Sequence, residues 1–186
     1  KIITTGEGGA VVFKNKEVAS LARVLRDHGM TPGRRYHHEV IGFNYRMTNM
    51  QAAVGVAQYE RLDSILDVRE KIIKRYHQNI ASLSLVSQAV SESCKSSNWV
   101  FAVSVPCERI DSIMMELSNQ DIEHRRCFEP MSLQPAFTTA KVSSSLESSQ
   151  ALFNSLLLLP THSRLSFGEI DHICEVVIEK LDRKSR

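Results

Sequence analysis

From Thr48 to about residue 82 the sequence keeps one unbroken helical period, and this stretch constrains everything around it. Thr48 and Gln51 stand at capping-box spacing, and Leu62, Ile65, Leu66, Ile72, Ile73, Tyr76 and Ile80 recur every three or four positions. A helix of that length links two lobes or lines a subunit contact, so the chain must be organised on either side of it. Its early part, MQAAVGVAQ, is rich in Ala and Gly, which lets another helix approach closely.

Before this helix, residues 10–13 (AVVF) read as a short buried strand between Gly9 and Lys14. Asn15 is placed to cap a helix over 16–28, with Val18, Leu21, Ala22 and Leu25 as its apolar stripe and Gly29 as its C′ residue. The stretch TPGRRYHHEVIGFNYRM then mixes Pro32, Gly33 and Gly42 with polar and aromatic side chains, the composition of an ordered functional loop.

After the helix, a serine-rich connection (82–97) leads to a predicted strand 98–105 and a helix 108–119 with Ile110, Ile113, Met114 and Leu117 on one face. A strand over 121–128, a proline-containing loop and a short helix near 147–155 follow, with the serine-rich 143–149 expected to be the most mobile piece. The LLLL run comes next, and Ser166 with Glu169 caps a last amphipathic helix. The pattern is α/β. Residues 1–82 read as part of a large domain carrying the long helix, and 83–186 as a small C-terminal domain.

Composition narrows the function classes. Of 186 residues 42% are hydrophobic, enough for a core, and the net charge is only +2 with no basic block, so nucleic acid is not expected as a partner. The LLLL run is far too short to span a bilayer. The four cysteines at 94, 107, 127 and 174 share no close spacing, which predicts reduced thiols in a cytoplasmic protein. Lys1 stands at the very edge of a predicted strand, so a preceding N-terminal portion is expected.

Four stretches could carry chemistry. Lys1, followed by the GEGG turn, is either a solvent-facing charge at a strand end or an amine poised to attack an aldehyde. GFNYRM places Asn44 and Arg46 just before a helix, where they either bind an anion or merely order the loop. In RRYHH, Tyr36 and His37 belong to a solvated loop or touch a bound anion, and no ligand-like spacing supports a metal. RRCFEPMSLQPAF could present Arg125, Phe128 and Ser132 to a pocket, whereas Cys127 has no base partner and reads as a buried structural thiol.

Taken together, these motifs resemble the DegT/DnrJ/StrS-type sugar aminotransferases. The likeness runs through ITTGEGGAVVF, LARVLRDHG, GFNYRMTNMQAAVGVAQYERLD, IEHRRCFEPMSLQPAF and LLLLPTHSRLSFGEIDHICEVV, nearly the whole chain as that family's C-terminal half. The resemblance implies the type I aminotransferase fold and pyridoxal 5′-phosphate (PLP) as cofactor. Lys1 would form the internal Schiff base and shuttle the proton, and Asn44 would reach across a homodimer to the neighbour's PLP phosphate. It further implies a nucleotide-linked keto-deoxy sugar as acceptor, glutamate as amino donor, and a role in amino-sugar synthesis for cell-surface polysaccharide. Tyr36, His37, Arg46, Arg125, Phe128 and Ser132 are the candidate substrate contacts, Ser132 standing where many relatives have His. The family's carboxylate partner for the pyridine nitrogen lies before Lys1, so the fragment alone is expected to be inactive. The alternative is a non-catalytic piece kept for dimerisation.

Overall fold

Asn15 ends the first extended segment by turning its side chain onto the backbone. Its Oδ1 accepts from the N–H groups of Glu17 at 2.7 Å and Val18 at 3.1 Å, and α1 (Lys16–Arg26) begins there. These contacts come from a computed structural model, which describes residues 1–81, 85, 87, 89–137, 139–142 and 144–182. Helix α1 stops two residues short of expectation. Asp27 is its cap, and His28 takes the left-handed position (φ 60°) expected of Gly29, which is itself left-handed at φ 72°. The cause is competition for the last carbonyls: Phe43 N–H donates to Leu25 O at 2.7 Å and Tyr45 N–H to Arg26 O at 2.9 Å.

The long helix is two helices, α2 (Asn49–Glu60) and α3 (Leu62–Ile80). The capping box opens α2 as expected, with Gln51 N–H donating to Thr48 Oγ1 and Thr48 N–H donating to Gln51 Oε1. At Arg61 the N–H turns back to the Gln58 carbonyl, three residues earlier, and the helix tightens and breaks. The two halves have different tasks. No residue of α2 is buried, whereas α3 buries Arg69, Ile72, Tyr76 and Ile80.

By its contacts the chain divides into two units, one holding Lys1 and Ile3–Leu62, the other Ile2 and Asp63 onward. This division falls earlier than the 82/83 boundary read from the serine-rich stretch, because α3 gives its apolar face to the second core. In the first unit, residues 10–13 form no strand, and Val11 and Val12 are 76% and 95% exposed. An extended segment becomes a strand only when a neighbour takes its N–H and C=O groups, and among the described residues none lies beside it.

The second unit is built around LLLL. These four leucines form β3 (Leu156–Leu159), the centre of a three-stranded antiparallel sheet in the order β1-β3-β2. Sequence reading did not assign them as a strand, because a continuous apolar run lacks the alternation of a half-exposed one. β1 (Phe101–Ser104) pairs from Phe101↔Leu159 to Ser104↔Leu156, and β2 (Arg125–Arg126) pairs with Leu158 and Leu157. Both are shorter than the predicted 98–105 and 121–128: β2 pairs with only two of the four leucines, and beyond β1 a single backbone bond continues, Val105 N–H to Ser155 O at 2.9 Å.

Around the sheet lie α4 (Ile110–Asn119), two 3₁₀ turns (Met131–Leu133 and Pro135–Phe137), α5 (Glu147–Ser155) and α6 (Phe167–Asp182). Residues 82–84, 86 and 88 of the serine-rich connection lie outside the described residues, as does Ser143 of the stretch expected to be mobile. The core joins Ile72 and Tyr76 of α3, Phe101 and Val103 of β1, Ile110, Ile113 and Leu117 of α4, Leu157 and Leu159, and Ile170, Ile173 and Val177 of α6. Tyr76 stacks on Phe101 with centroids 4.6 Å apart and donates its hydroxyl to Pro160 O at 3.0 Å, while burial pushes its phenol pKa up. Cys174 is buried, its thiol raised to about 11 mainly by desolvation, but Cys127 is only half-buried, contrary to expectation. α3 and α6 are clamped where Arg75 grips Asp171 through two 2.6 Å hydrogen bonds, with Asn79 donating at 2.7 Å.

Replacing Leu157 with Ala should lower stability by about 2–5 kcal/mol, because the side chain is wholly buried at the sheet centre; denaturant unfolding of the purified protein measures it. The clamp predicts a pH dependence. Hydrogen bonds from Arg75, then Asn79, pull the Asp171 carboxyl down to about 2, below an unfolded value of about 3.9. Its contribution is therefore present above about pH 4 and fades as pH falls through about 2. Asp171→Asn should lose stability at neutral pH and flatten the acid limb of a melting-temperature profile.

Candidate functional site

Lys1 is exposed and opens an extended segment that folds into a tight turn at Thr4–Gly8. Gly6 N–H donates to Thr4 Oγ1 at 2.9 Å and Thr5 Oγ1 donates to Glu7 O at 2.8 Å. Gly8, at φ 146°, holds a backbone conformation that strains any side chain; a Cβ there would also lie 2.8 Å from Thr5 Oγ1 and 2.6 Å from the mobile end of Met47, Cε. Thr5 also approaches α2, its Cγ2 lying 3.0 Å from where a Cβ on Gly55 would stand. Gly55 of α2 therefore leaves room for this turn.

The loop after α1 is a closed ribbon. Met30 pairs with His38 and Asp27 with Asn44 in antiparallel bridges, while His28 N–H donates to Phe43 O at 2.9 Å and Thr31 N–H to His37 O at 2.8 Å. At the neck the backbones of Gly29 and Gly42 touch. A Cβ on Gly29 would fall 1.9 Å from Val40 O, and one on Gly42 would fall 2.1 Å from Gly29 N. Asn44 is exposed on this ribbon, between Phe43 and Tyr45, whose rings stack with centroids 5.2 Å apart. Arg46 Nη1 lies 3.1 Å from Asp27 Oδ1, an ion pair whose angle falls outside that of a hydrogen bond.

The remaining candidates fall into two places. Tyr36 is exposed at the ribbon tip with φ 61°, the Arg35 guanidinium lying 4.8 Å over its ring, and His37 is half-buried beside it. In the second unit, Arg125 stands over the rings of both Trp99, at 5.3 Å, and Phe128, at 5.1 Å. The two rings themselves stack at 6.1 Å. Ser132 Oγ is buried with no hydrogen-bond partner among the described residues. Sequence reasoning missed Trp99; the signal available was that it is the chain's single tryptophan, standing two residues before β1.

A cleft of about 960 Å³ runs between residues 8–13 and α1, with Phe13, Ala22, Leu25 and Tyr45 in its walls. Lys1 and Asn44 do not line it. Among the described residues no three His, Cys, Asp or Glu side chains converge as a metal site, and no helix is long and apolar enough to cross a membrane.

The fold and these motifs define a class. Residues 1–178 match the DegT/DnrJ/EryC1/StrS aminotransferase family, and the chain belongs to it. It is 36% identical over 178 residues to the GDP-perosamine synthase of Caulobacter vibrioides, covering 93% of this chain and 48% of that protein. PseC of Helicobacter pylori, an aminotransferase involved in pseudoaminic acid biosynthesis, superimposes with a TM-score of 0.89 at 22% identity, covering 99% of this chain and 51% of PseC. A Streptococcus pneumoniae protein assigned as a sugar aminotransferase, solved in its PLP form, gives a TM-score of 0.78 at 25% identity over 93% of this chain and 46% of its own. The chain thus has the α/β fold of these aminotransferases and spans about half the length of the curated relatives it matches.

Gly29→Ala should open the neck, since the new methyl group meets a backbone carbonyl and the position is left-handed as well. Hydrogen exchange should show lost protection at the N–H groups of His28 and Phe43, whereas Gly9→Ala, where a Cβ meets nothing within 4 Å and the backbone is not left-handed, should leave those amides protected.

Proposed function

We propose that the protein is a PLP-dependent aminotransferase acting on a nucleotide-linked keto-deoxy sugar, with glutamate as amino donor, in cytoplasmic synthesis of an amino sugar for cell-surface polysaccharide. The observation that carries this reading is the pairing of Lys1 with a glycine turn whose backbone at Gly8 (φ 146°) strains any side chain, on a chain belonging to this family. The relative named GDP-perosamine synthase supports the substrate class, and the relative solved in its PLP form supports the cofactor.

The donor set fits part of the cofactor. Lys1 offers a primary amine for an aldehyde, and Asn44 offers an amide donor for a phosphate. A carboxylate for the ring nitrogen would come from the portion of such proteins that this chain does not span. When bound, PLP supplies an electron sink that makes the carbon next to the amino nitrogen acidic. Lys1 Nζ is then the group that takes the proton, which it can do only when neutral, and returns it from the ammonium form so produced. The turn at Gly6–Gly8 sets where that amine stands, and the Gly29–Gly42 neck sets where Asn44 stands.

In this reading the first stretch of the chain belongs to the large domain and the last to the small one. Two copies associate so that each Asn44 serves the neighbour's cofactor. Tyr36, His37 and Arg46, and separately Arg125, Phe128 and Ser132, are the candidate substrate contacts. A piece kept only for dimerisation would carry no cofactor, and borohydride reduction separates the two: the aminotransferase should retain PLP fixed to Lys1.

Lys1→Arg should abolish transamination while leaving the fold assembled, because a guanidinium stays protonated at any working pH; an intact-enzyme assay giving a sizeable fraction of parental turnover would rule out the role. Asn44→Ala removes a hydrogen bond to a charged group, so cofactor affinity should weaken about 10-fold to 150-fold. Mixed dimers of Asn44→Ala and Lys1→Ala subunits test the sharing of sites. Donation across the interface leaves one site intact and recovers activity; donation within a subunit leaves every site with a defect.

A further inference from the structure

Arg69 breaks the pattern of its own helix. It shares one face of α3 with Ile72, Tyr76 and Ile80, three, seven and eleven positions on, and like them it is buried, at 7% exposure. Among the described residues no carboxylate lies within ion-pair distance of it, and its Nε is buried without a hydrogen-bond partner. An apolar side chain here would simply join the core, whereas a buried guanidinium without a counter-ion costs stability. Stability is therefore a poor account of this cation.

What it does hold is one short piece of backbone. The ladder between β1 and β3 ends at Phe101↔Leu159, and in that register Trp99 and Thr161 stand opposite each other just beyond the end. Side chains close the gap. Arg69 Nη1 donates to Asn98 O at 3.0 Å, to Trp99 O at 3.1 Å and to Thr161 Oγ1 at 3.0 Å, and Thr161 Oγ1 donates to Trp99 O at 2.6 Å. Asn98 is left-handed at φ 53°, a conformation that persists where its surroundings fix it. Two turns along the same face of α3, the Tyr76 hydroxyl donates to Pro160 O at 3.0 Å, so one helix holds both sides of the clamp.

The side chain that this clamp orients is the half-buried indole of Trp99, with the Arg125 guanidinium over its face and the Phe128 ring stacked on it. Arg125 and Phe128 are exposed, and a fixed indole beside them limits the rotamers that binding would otherwise have to order. From this geometry we infer that Arg69 and Thr161 are positioning residues: they pin the main chain at Asn98 and Trp99, the indole is thereby fixed, and the indole holds Arg125 and Phe128 for the substrate. This rests on the proposed function, in which Arg125 and Phe128 are contacts of the nucleotide sugar.

The test uses intact, PLP-loaded enzyme labelled with 5-fluorotryptophan, the Trp99 resonance being assigned by its loss in Trp99→Phe. Thr161→Val keeps the size of the side chain and removes the hydroxyl. It should shift or broaden that resonance and raise KM for the nucleotide sugar about twofold to tenfold, the range of one neutral hydrogen bond. Arg69→Met takes a charged donor from two carbonyls and should raise it roughly tenfold or more. KM for the amino donor, measured in its own half-reaction, should stay unchanged in both, and Thr161→Ser should recover most of the parental behaviour. Trp99→Ala should raise the sugar KM as well, and adding Thr161→Val to it should raise KM no further, because the hydroxyl acts through the indole. Effects that multiply in the double variant would overturn the assignment, as would a Trp99 resonance unmoved by Thr161→Val. So would a displaced resonance with an unchanged sugar KM, or a rise in both KM values together, either of which would leave the clamp merely structural. A displaced resonance in a protein that aminates no nucleotide sugar would uphold the clamp on Trp99 and sink the aminotransferase reading instead.

Discussion

The neck at Gly29 and Gly42 holds two backbone segments closer than any pair of residues with side chains tolerates. Gly29 is also the one fully buried residue between Lys1 and Leu62, so the densest point of the first unit is backbone against backbone. Much else there depends on this contact. Helix α1 gives its last carbonyls to Phe43 and Tyr45, so helix end and loop form one hydrogen-bonded piece. Asn44 owes its place to the same pairing, and the tip turns stand at the far end of the same ribbon. A group meant to bind an anion gains from being held in advance, because little ordering remains to be done on binding.

The second unit positions its polar groups by a different route. Arg69 is buried in α3, and its Nη1 lies within 3.1 Å of the carbonyls of Asn98 and Trp99 and of Thr161 Oγ1. Thr161 in turn donates to Trp99 O at 2.6 Å. Removal from water holds the Arg69 pKa below its usual value, yet a guanidinium keeps its charge at any ordinary pH. The backbone of Trp99 is thereby tied to the core, and Arg125 is placed by the pairing of β2 with Leu158. The stack of Trp99, Arg125 and Phe128 therefore stands on two anchors, one a buried cation and the other a central strand. Side-chain packing does here what backbone contact does in the first unit.

What could be read from the sequence was local. The caps at Asn15, Thr48–Gln51 and Ser166–Glu169 each involve residues within three positions, and all three form as read. The lysine, the glycine turn and the Asn-Tyr-Arg motif were visible as residue types before any fold was known. What failed was non-local. The 48–82 pattern does not reveal that α2 buries no residue while α3 gives its apolar face to a core, so the break at Arg61 was invisible. Residues 10–13 have a strand's composition and no strand to pair with. The four leucines look like any apolar run until β1 and β2 flank them.

The contrast between the units bears on how activity would be controlled. The second unit has a core from five elements, while α1 and α2 of the first bury no residue. Val12, Ile41, Met50 and Tyr59 are 95%, 90%, 80% and 70% exposed, more apolar surface than a stretch of this size leaves to water at no cost. Caps, turns and the glycine neck order this unit locally, and burial adds little. Yet Lys1 and Asn44 both lie on it. If these faces are covered only when the rest of such a protein and a second copy close over them, as the proposed shared site requires, then forming the site and assembling the protein are one equilibrium. Anything bound across the covered faces would stabilise the assembly by mass action, and dilution would loosen the site before it touched the leucine-centred core.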